Sequence, residues 1–431
     1  MDGFCKIEIE KLFNSERRLV GPKSLSFLNT IANISAVSGN MKIHSFESGT
    51  TCFDWIIPKA WHLNKAFIKN DKDETILEVT DDNILNIVNG STSIDKKISY
   101  KVLLSHLHYR KNLPDAVPWM HSYYGKNWGF CLEYEKVKKL DKHSNYRVVI
   151  DSDFKKDNLY IGELLLKGQS DREVIISTYT CHPSMANDNL SGIILAVNLY
   201  NELRKNTNRK FTYRFLFYPE TIGSVTALAK KVIEKEKVEY SFVLTCVSYG
   251  ETINYKKTFS NNHNIDAIVA DVLEVSNLKY NLIDYWPDGG SDERQMSSPG
   301  IRIPTCSIMR SFYREYDQYH TNKDNLDLFN LDKLKEMSDL YLLVINRYEK
   351  SVKYYVNTEG CEPFLTKYSK NTRTLGGTHL VDDYEKIVKW ICFLGDGENC
   401  IENIKIKSGY SVKQIKNVYN KLINMKVIFE K

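Results

Sequence analysis

Four short stretches in the middle of this chain hold residue types that bind divalent metals and move protons. The first runs from Glu173 to Gly192, E-V-I-I-S-T-Y-T-C-H-P-S-M-A-N-D-N-L-S-G. It places His182 just after an apolar run and Asp188 just before an amphipathic one. Histidine and carboxylate together are ligands for a divalent metal, zinc first. The structural alternative makes Asp188 an N-cap and His182 a turn residue. In F-Y-P-E-T-I-G-S, Glu220 follows a second apolar run. It suits a general base that takes a proton from water, or a helix-terminal Glu favoured by the macrodipole. The third stretch, D-G-G-S-D-E-R-Q, holds Asp292 and Glu293 in a Gly-rich loop. The fourth, Y-H-T-N-K-D-N, holds His320, with Asp324 placed to support it from behind.

Residues 166–350 alternate strand and helix patterns, which predicts a doubly wound, mostly parallel α/β sheet with helices on both faces. Strands are expected over 173–180, 211–218, 240–247 and 301–309, and helices over 189–205, 222–236, 263–276 and 330–350. His182, Glu220 and His320 then follow different strands of one sheet, and Asp188 opens the next helix. Open parallel sheets gather their chemistry at the edge where such loops converge.

The flanking segments differ in character. Residues 1–45 are mostly polar and helical, with a Gly21-Pro22 break, and are expected to join the α/β domain. Residues 46–165 carry short strand-like runs separated by Asp, Asn, Gly and Ser, as in an inserted β-rich domain. Inside it, Pro118 to Cys131 is dense in aromatics. This segment is either the small domain's aromatic core or a roof over the cleft, built from Tyr123, Tyr124, Trp128 and Phe130. Residues 352–431 predict three short helices, the last capped by Ser411, in a winged helix-turn-helix-like domain. Lys413, Lys416, Lys421 and Lys426 on that last helix permit DNA contact, but a solvated face or a protein contact is favoured.

Composition limits the partners. The 431 residues carry 59 Lys and Arg against 54 Asp and Glu, a net charge of +5 that does not by itself imply nucleic acid. The length predicts two or three domains. Nine cysteines, odd in number and without a C-x-x-C, read as reduced thiols, and no apolar run approaches a membrane span. A cytoplasmic location is expected, with no membrane partner, and a homo-oligomer is compatible with the composition.

Taken together, C-H-P…A-N-D-N-L-S-G, P-E-x-x-G-S, G-S-D-E and Y-H-T-x-x-D resemble, in this order, the co-catalytic zinc aminopeptidase and glutaminyl cyclase superfamily. Within it, the chain resembles an uncharacterised bacterial branch linked to polysaccharide biosynthesis, with an inserted β-domain and a C-terminal winged helix. The resemblance implies that His182 and His320 are metal ligands, that Asp188 matches the bridging carboxylate, and that Glu220 is the general base. Two ligands depart from the pattern: Thr221 stands where a carboxylate is expected, and Cys246 where an Asp is expected. One zinc on His182, Asp188 and His320 is therefore expected rather than two. The implied activity is aminopeptidase-like hydrolysis of a small peptide or amino-acyl amide, with Asp292 or Glu293 holding the substrate's ammonium. The alternatives are an amidohydrolase or transferase of polysaccharide biosynthesis, and an inactive metal-binding regulatory module.

Overall fold

The computed structural model describes residues 6–34, 41–287, 289–368 and 382–431. By internal contacts the chain forms two compact units: Met1–Phe259 with Lys279–Asp339, and Ser260–Leu278 with Leu340–Lys431.

The first unit is built on an eight-stranded mixed sheet. Its strands are β1 (Lys42–Glu47), β2 (Asn158–Leu166), β3 (Glu173–Tyr179), β4 (Thr212–Tyr218), β5 (Val238–Val243), β6 (Ile253–Lys256), β7 (Tyr280–Ile283) and β8 (Thr305–Met309), in the spatial order β1-β2-β4-β3-β5-β8-β6-β7. Parallel pairing joins β4, β3, β5 and β8, and joins β6 to β7; the other pairs are antiparallel. All seven residues of β3 are buried. That is why its Val174-Ile175-Ile176 run shows no alternation: both faces are buried, and β-branched side chains suit such a strand.

The helix Ser191–Arg204 after β3 is buried along nearly its whole length, from Ser191 to Tyr200 and at Leu203. Each fully buried Ile or Leu there contributes about 1.5–3 kcal/mol. Gly192 admits the close approach: a Cβ at this position would lie 2.3 Å from the carbonyl oxygen of Leu244. The expected helix over 222–236 is shorter, Ile222–Ala229, and the chain turns away through Lys231 at φ 56°. The expected strand over 240–247 likewise stops at Val243, and the backbone bends at Cys246, φ 53°.

The β-rich segment forms its own antiparallel sheet from Thr75–Val79, Ala60–Asn70, Asn145–Lys155 and Ile94–Ser99. A separate apolar cluster underlies it, with Ile68, Phe130, Tyr146 and Val148 fully or almost fully buried. β1 and β2 pair with each other inside the large sheet, so the small sheet occupies a narrower span than 46–165. Burial fits this: six of the nine residues of β2 are buried, as suits an inner strand.

In the second unit, the helices Asp383–Leu394, Ile401–Ser408 and Val412–Asn424 pack around Tyr354, Ile391, Ile415 and Leu422. Asp382 caps the first helix, Gly409 ends the second in the left-handed conformation, and Ser411 caps the third in a capping box with Gln414. The strand Ile428–Glu430 then pairs antiparallel with Tyr354–Val356. Helix Asn264–Val275 belongs to this unit, where Lys405 pairs with Asp271 at 2.6 Å. Among the described residues, no helix is long and apolar enough to cross a membrane.

Candidate metal centre

The parallel strands end at one edge of the large sheet, and the loops there bring His182, Asp188 and His320 together. Among the described residues they form the one group of His, Cys, Asp or Glu able to hold a metal, with one donor atom from each lying within 4.8 Å of the others. Asp188 Oδ2 is 3.0 Å from His320 Nε2 and 4.0 Å from His182 Nε2. Asp188 Oδ2 and His320 Nε2 are nevertheless buried without a hydrogen-bond partner. Close yet misaligned for each other, they converge on a common point, as donors around an ion do. Tetrahedral zinc with N and O ligands at about 2.0–2.2 Å fits this donor set.

Asp188 is not a helix cap: the helix begins at Ser191 with Leu190 at its N-cap, and the Asp188 oxygens face Tyr179 and His320 instead. The turn is held from across the fold. Asp324 Oδ1 accepts the Asn187 N–H at 2.7 Å; its Oδ2 accepts the Asp188 N–H at 3.0 Å and the Tyr316 hydroxyl at 2.9 Å. Asp324 therefore supports Asp188 rather than the His320 ring. Asn187 and Asn189 are fixed in turn, by Ser248 and Ser311 and by Thr178.

Tyr179, the last residue of β3, donates to Asp188 Oδ1 and lies 2.6 Å from Thr245 Oγ1. Burial raises its pKa well above the ordinary value, so it stays a donor. Oδ2 is then the Asp188 oxygen without a hydrogen-bond partner.

Electrostatics favour the metal-ready forms. Burial lowers His182 to about 3, leaving a neutral imidazole at physiological pH. Its Nδ1 lies 3.4 Å from Cys181 Sγ, which also accepts the Glu220 N–H at 3.3 Å. Burial alone would favour the acid form of Asp188. The imidazoles of His182 and His320 and the Tyr179 hydroxyl outweigh it, and the carboxyl is held at about 2. Behind the site, Arg17 is 1% exposed and donates to the Met185 carbonyl at 3.2 Å. Burial lowers its pKa to about 10, so it remains a fixed positive charge near Asp324 and Asp188.

Glu220 faces this cluster from the loop after β4. Its Oε2 is 3.9 Å from His182 Nε2, and its Oε1 accepts the Ser291 hydroxyl at 2.6 Å. Burial raises its pKa to about 7, opposed by Ser291 and aided by the charge of Asp188. Asp292 accepts at Oδ1 from the Thr221 N–H at 2.7 Å and from Ser224 Oγ at 2.5 Å. Its Oδ2 is buried without a partner, and burial, with the charge of Glu220, pushes it up to about 8. Glu293 is engaged otherwise: Lys256 Nζ binds it at 2.9 Å, both residues are fully buried, and its second oxygen accepts the Ser291 N–H. Cys246 is buried and stands outside the metal group, its thiol pushed up by burial.

The roof differs from the aromatic set expected. Trp128 stacks on His106 at 3.7 Å and, with Phe130, packs into the core of the small sheet. Tyr123 packs against the main core, and Tyr124 meets Trp55 edge-on. Trp119 takes the place at the ligands, its ring 4.4 Å from that of His182 and 4.9 Å from that of His320. Backbone bonds fix it there: Trp119 N–H donates to the His320 carbonyl at 2.7 Å, and Asn322 bonds Val117 in both directions. Tyr179 had a signal in the sequence, as a hydroxyl at the same strand edge. Ser291 lay inside a stretch already singled out. Arg17 and Trp119 had none that separates them from their neighbours.

A large mixed sheet with such a loop edge is the zinc aminopeptidase fold. The structure is similar to that of a zinc aminopeptidase from Bacillus subtilis, with a TM-score of 0.59 at 14% identity over 79% of this chain and 93% of that one. It is similar to a peptidase M28 precursor from Shewanella amazonensis, with a TM-score of 0.57 at 12% identity over 79% and 91%. Within that class, the chain belongs to the family described as a domain of unknown function, DUF4910, whose model matches residues 7–351. A Clostridium acetobutylicum protein named "Putative polysaccharide biosynthesis protein with aminopeptidase-like domain" is 38% identical over 388 residues, 90% of this chain and 88% of the relative. A crystal structure of a "putative peptidase" from Clostridium acetobutylicum has a TM-score of 0.77 at 35% identity, covering 99% of this chain and 95% of that one.

Proposed function

We propose that this chain is a zinc-dependent, aminopeptidase-like hydrolase that cleaves the amide of a small peptide or amino-acyl conjugate. The observation that carries the reading is the placement of Glu220. One of its oxygens is pinned by Ser291 at 2.6 Å, and the other lies 3.9 Å from the ligand nitrogen of His182. Pure metal binding needs no such base.

His182 Nε2, Asp188 Oδ2 and His320 Nε2 would hold a single ion. Thr221 and Cys246, in place of carboxylates, support one ion rather than two. When bound, zinc supplies Lewis acidity, lowering the pKa of water and polarising a carbonyl. Glu220, held near neutrality, takes the proton of the attacking water and returns it to the leaving nitrogen. Trp119 shields the two imidazoles. Of the two acids expected to hold a substrate ammonium, Asp292 keeps an unpartnered oxygen, while both oxygens of Glu293 already accept hydrogen bonds.

The name of the Clostridium acetobutylicum relative favours a second reading, in which the same residues cleave or transfer an amide on a sugar-linked substrate. One assay separates the readings: zinc-loaded protein against amino-acyl anilides, dipeptides and N-acyl amino sugars. Turnover of the first two groups is expected. Loss by a factor of about 10²–10⁴ in Glu220→Gln, with zinc content unchanged, would identify the base. Bound zinc with no turnover of any substrate contradicts both readings.

A further inference from the structure

A cleft of about 470 Å³ opens beside His320, within the range of small-molecule sites. Its walls include His108, Arg110, Trp119, Arg314, Tyr319 and His320, and none of its lining residues is acidic. Trp119 and His320 belong both to its walls and to the metal centre. Tyr319 stacks on His320 with ring centres 3.9 Å apart, which fixes the wall between the ligand and the rest of the cleft.

The two arginines are held differently. Arg110 is tied to the wall: its Nη1 donates to the carbonyls of Asp317 at 2.7 Å and Tyr319 at 3.2 Å, and its Nε to Asn112 Oδ1 at 3.4 Å. Arg314 is exposed and makes no hydrogen bond or ion pair with a described residue. Its backbone is left-handed at φ 65°, as is that of His320 at φ 53°, in one loop. Side chains other than Gly adopt that region uncommonly, and functional loops are where it recurs. Glu315 and Asp317, its acidic neighbours in the chain, are exposed and form no ion pair with it.

An unpaired guanidinium in a cleft free of acids, beside a candidate metal ligand, is a site for an anionic group of matching planar shape. We propose that this cleft takes a substrate carboxylate, held by Arg314, so that the preferred amides carry a free carboxylate on the side away from the scissile bond. The inference rests on the hydrolase reading for what happens at the metal, but not for binding.

The test uses the zinc-loaded Glu220→Gln chain, so that ligands persist, with calorimetric binding of leucyl-glycine and its carboxamide, leucyl-glycinamide. The free carboxylate is expected to bind about ten-fold more tightly, the scale of one charge-assisted, partly solvated pair. Arg314→Gln is expected to bring the two ligands to the same affinity, and Arg314→Lys to restore part of the difference; circular dichroism checks the fold of each variant. Equal affinity in the parent, binding of neither ligand, or a preference that survives Arg314→Gln overturns the proposal. Turnover by the wild type is scored separately. Preference without hydrolysis leaves this proposal and removes the hydrolase reading, whereas hydrolysis without preference does the reverse.

Discussion

At the scale of single residues, the centre depends on which oxygen of which carboxylate is left open. Tyr179 takes one oxygen of Asp188, and Asp324 takes the backbone that carries it. Tyr179→Phe is expected to lower zinc affinity about 10–100-fold, the usual cost of losing an outer partner of a ligand, without adding a second ion. A competitive titration against a chromophoric chelator measures both quantities. Asp292 gives a prediction in pH. Its folded-state pKa, about 8, lies above the ordinary carboxylate value, so the stability tied to its proton is present at low pH and lost as pH rises through about 8. Asp292→Asn keeps the Oδ1 acceptor and removes that loss. In metal-free protein, the melting temperature of the variant relative to wild type is expected to climb from pH 5 to pH 8. A difference that stays flat across the range contradicts the account.

At the scale of elements, the strand-edge loops supply the candidate ligands, and Trp119 of the β-rich segment packs against two of them. Trp119 and Trp128 lie nine residues apart in one aromatic run, and packing separates their roles. Trp119 is 4% exposed and lies against both imidazoles, whereas Trp128 packs on the small sheet's core. Trp119→Ala is expected to cost about 3–5 kcal/mol of stability and to weaken zinc binding. Trp128→Ala is expected to lower stability with zinc affinity unchanged. Denaturant unfolding paired with zinc titration distinguishes them, and equal effects on zinc would contradict the assignment.

At the scale of the whole molecule, the strand–helix alternation was legible because β3, β4 and β5 are buried almost throughout and are rich in β-branched and aromatic residues. The cap at Ser411 made the last helix legible for a local reason: cap and helix are adjacent in sequence. The candidate ligands stood out because each lies in a segment that follows a strand of the large sheet, where chemistry gathers in such sheets. What stayed hidden depends on contacts distant in sequence. Arg17 reaches Met185 across 168 positions, and Asp324 reaches Asp188 across 136, so its support for Asp188 rather than His320 had no local signature. The boundary of the insertion was blurred because β2 looks like any short strand until its partners, β1 and β4, are known.

The central claim is a single zinc held by His182, Asp188 and His320. Equilibrium dialysis of metal-stripped protein against zinc, read by elemental analysis per chain, tests it most directly. One ion per chain is expected in the wild type, and close to none in His182→Ala and in His320→Ala, each with its fold confirmed by circular dichroism. Two ions per chain in the wild type, or one that persists after either histidine is removed, would contradict the account.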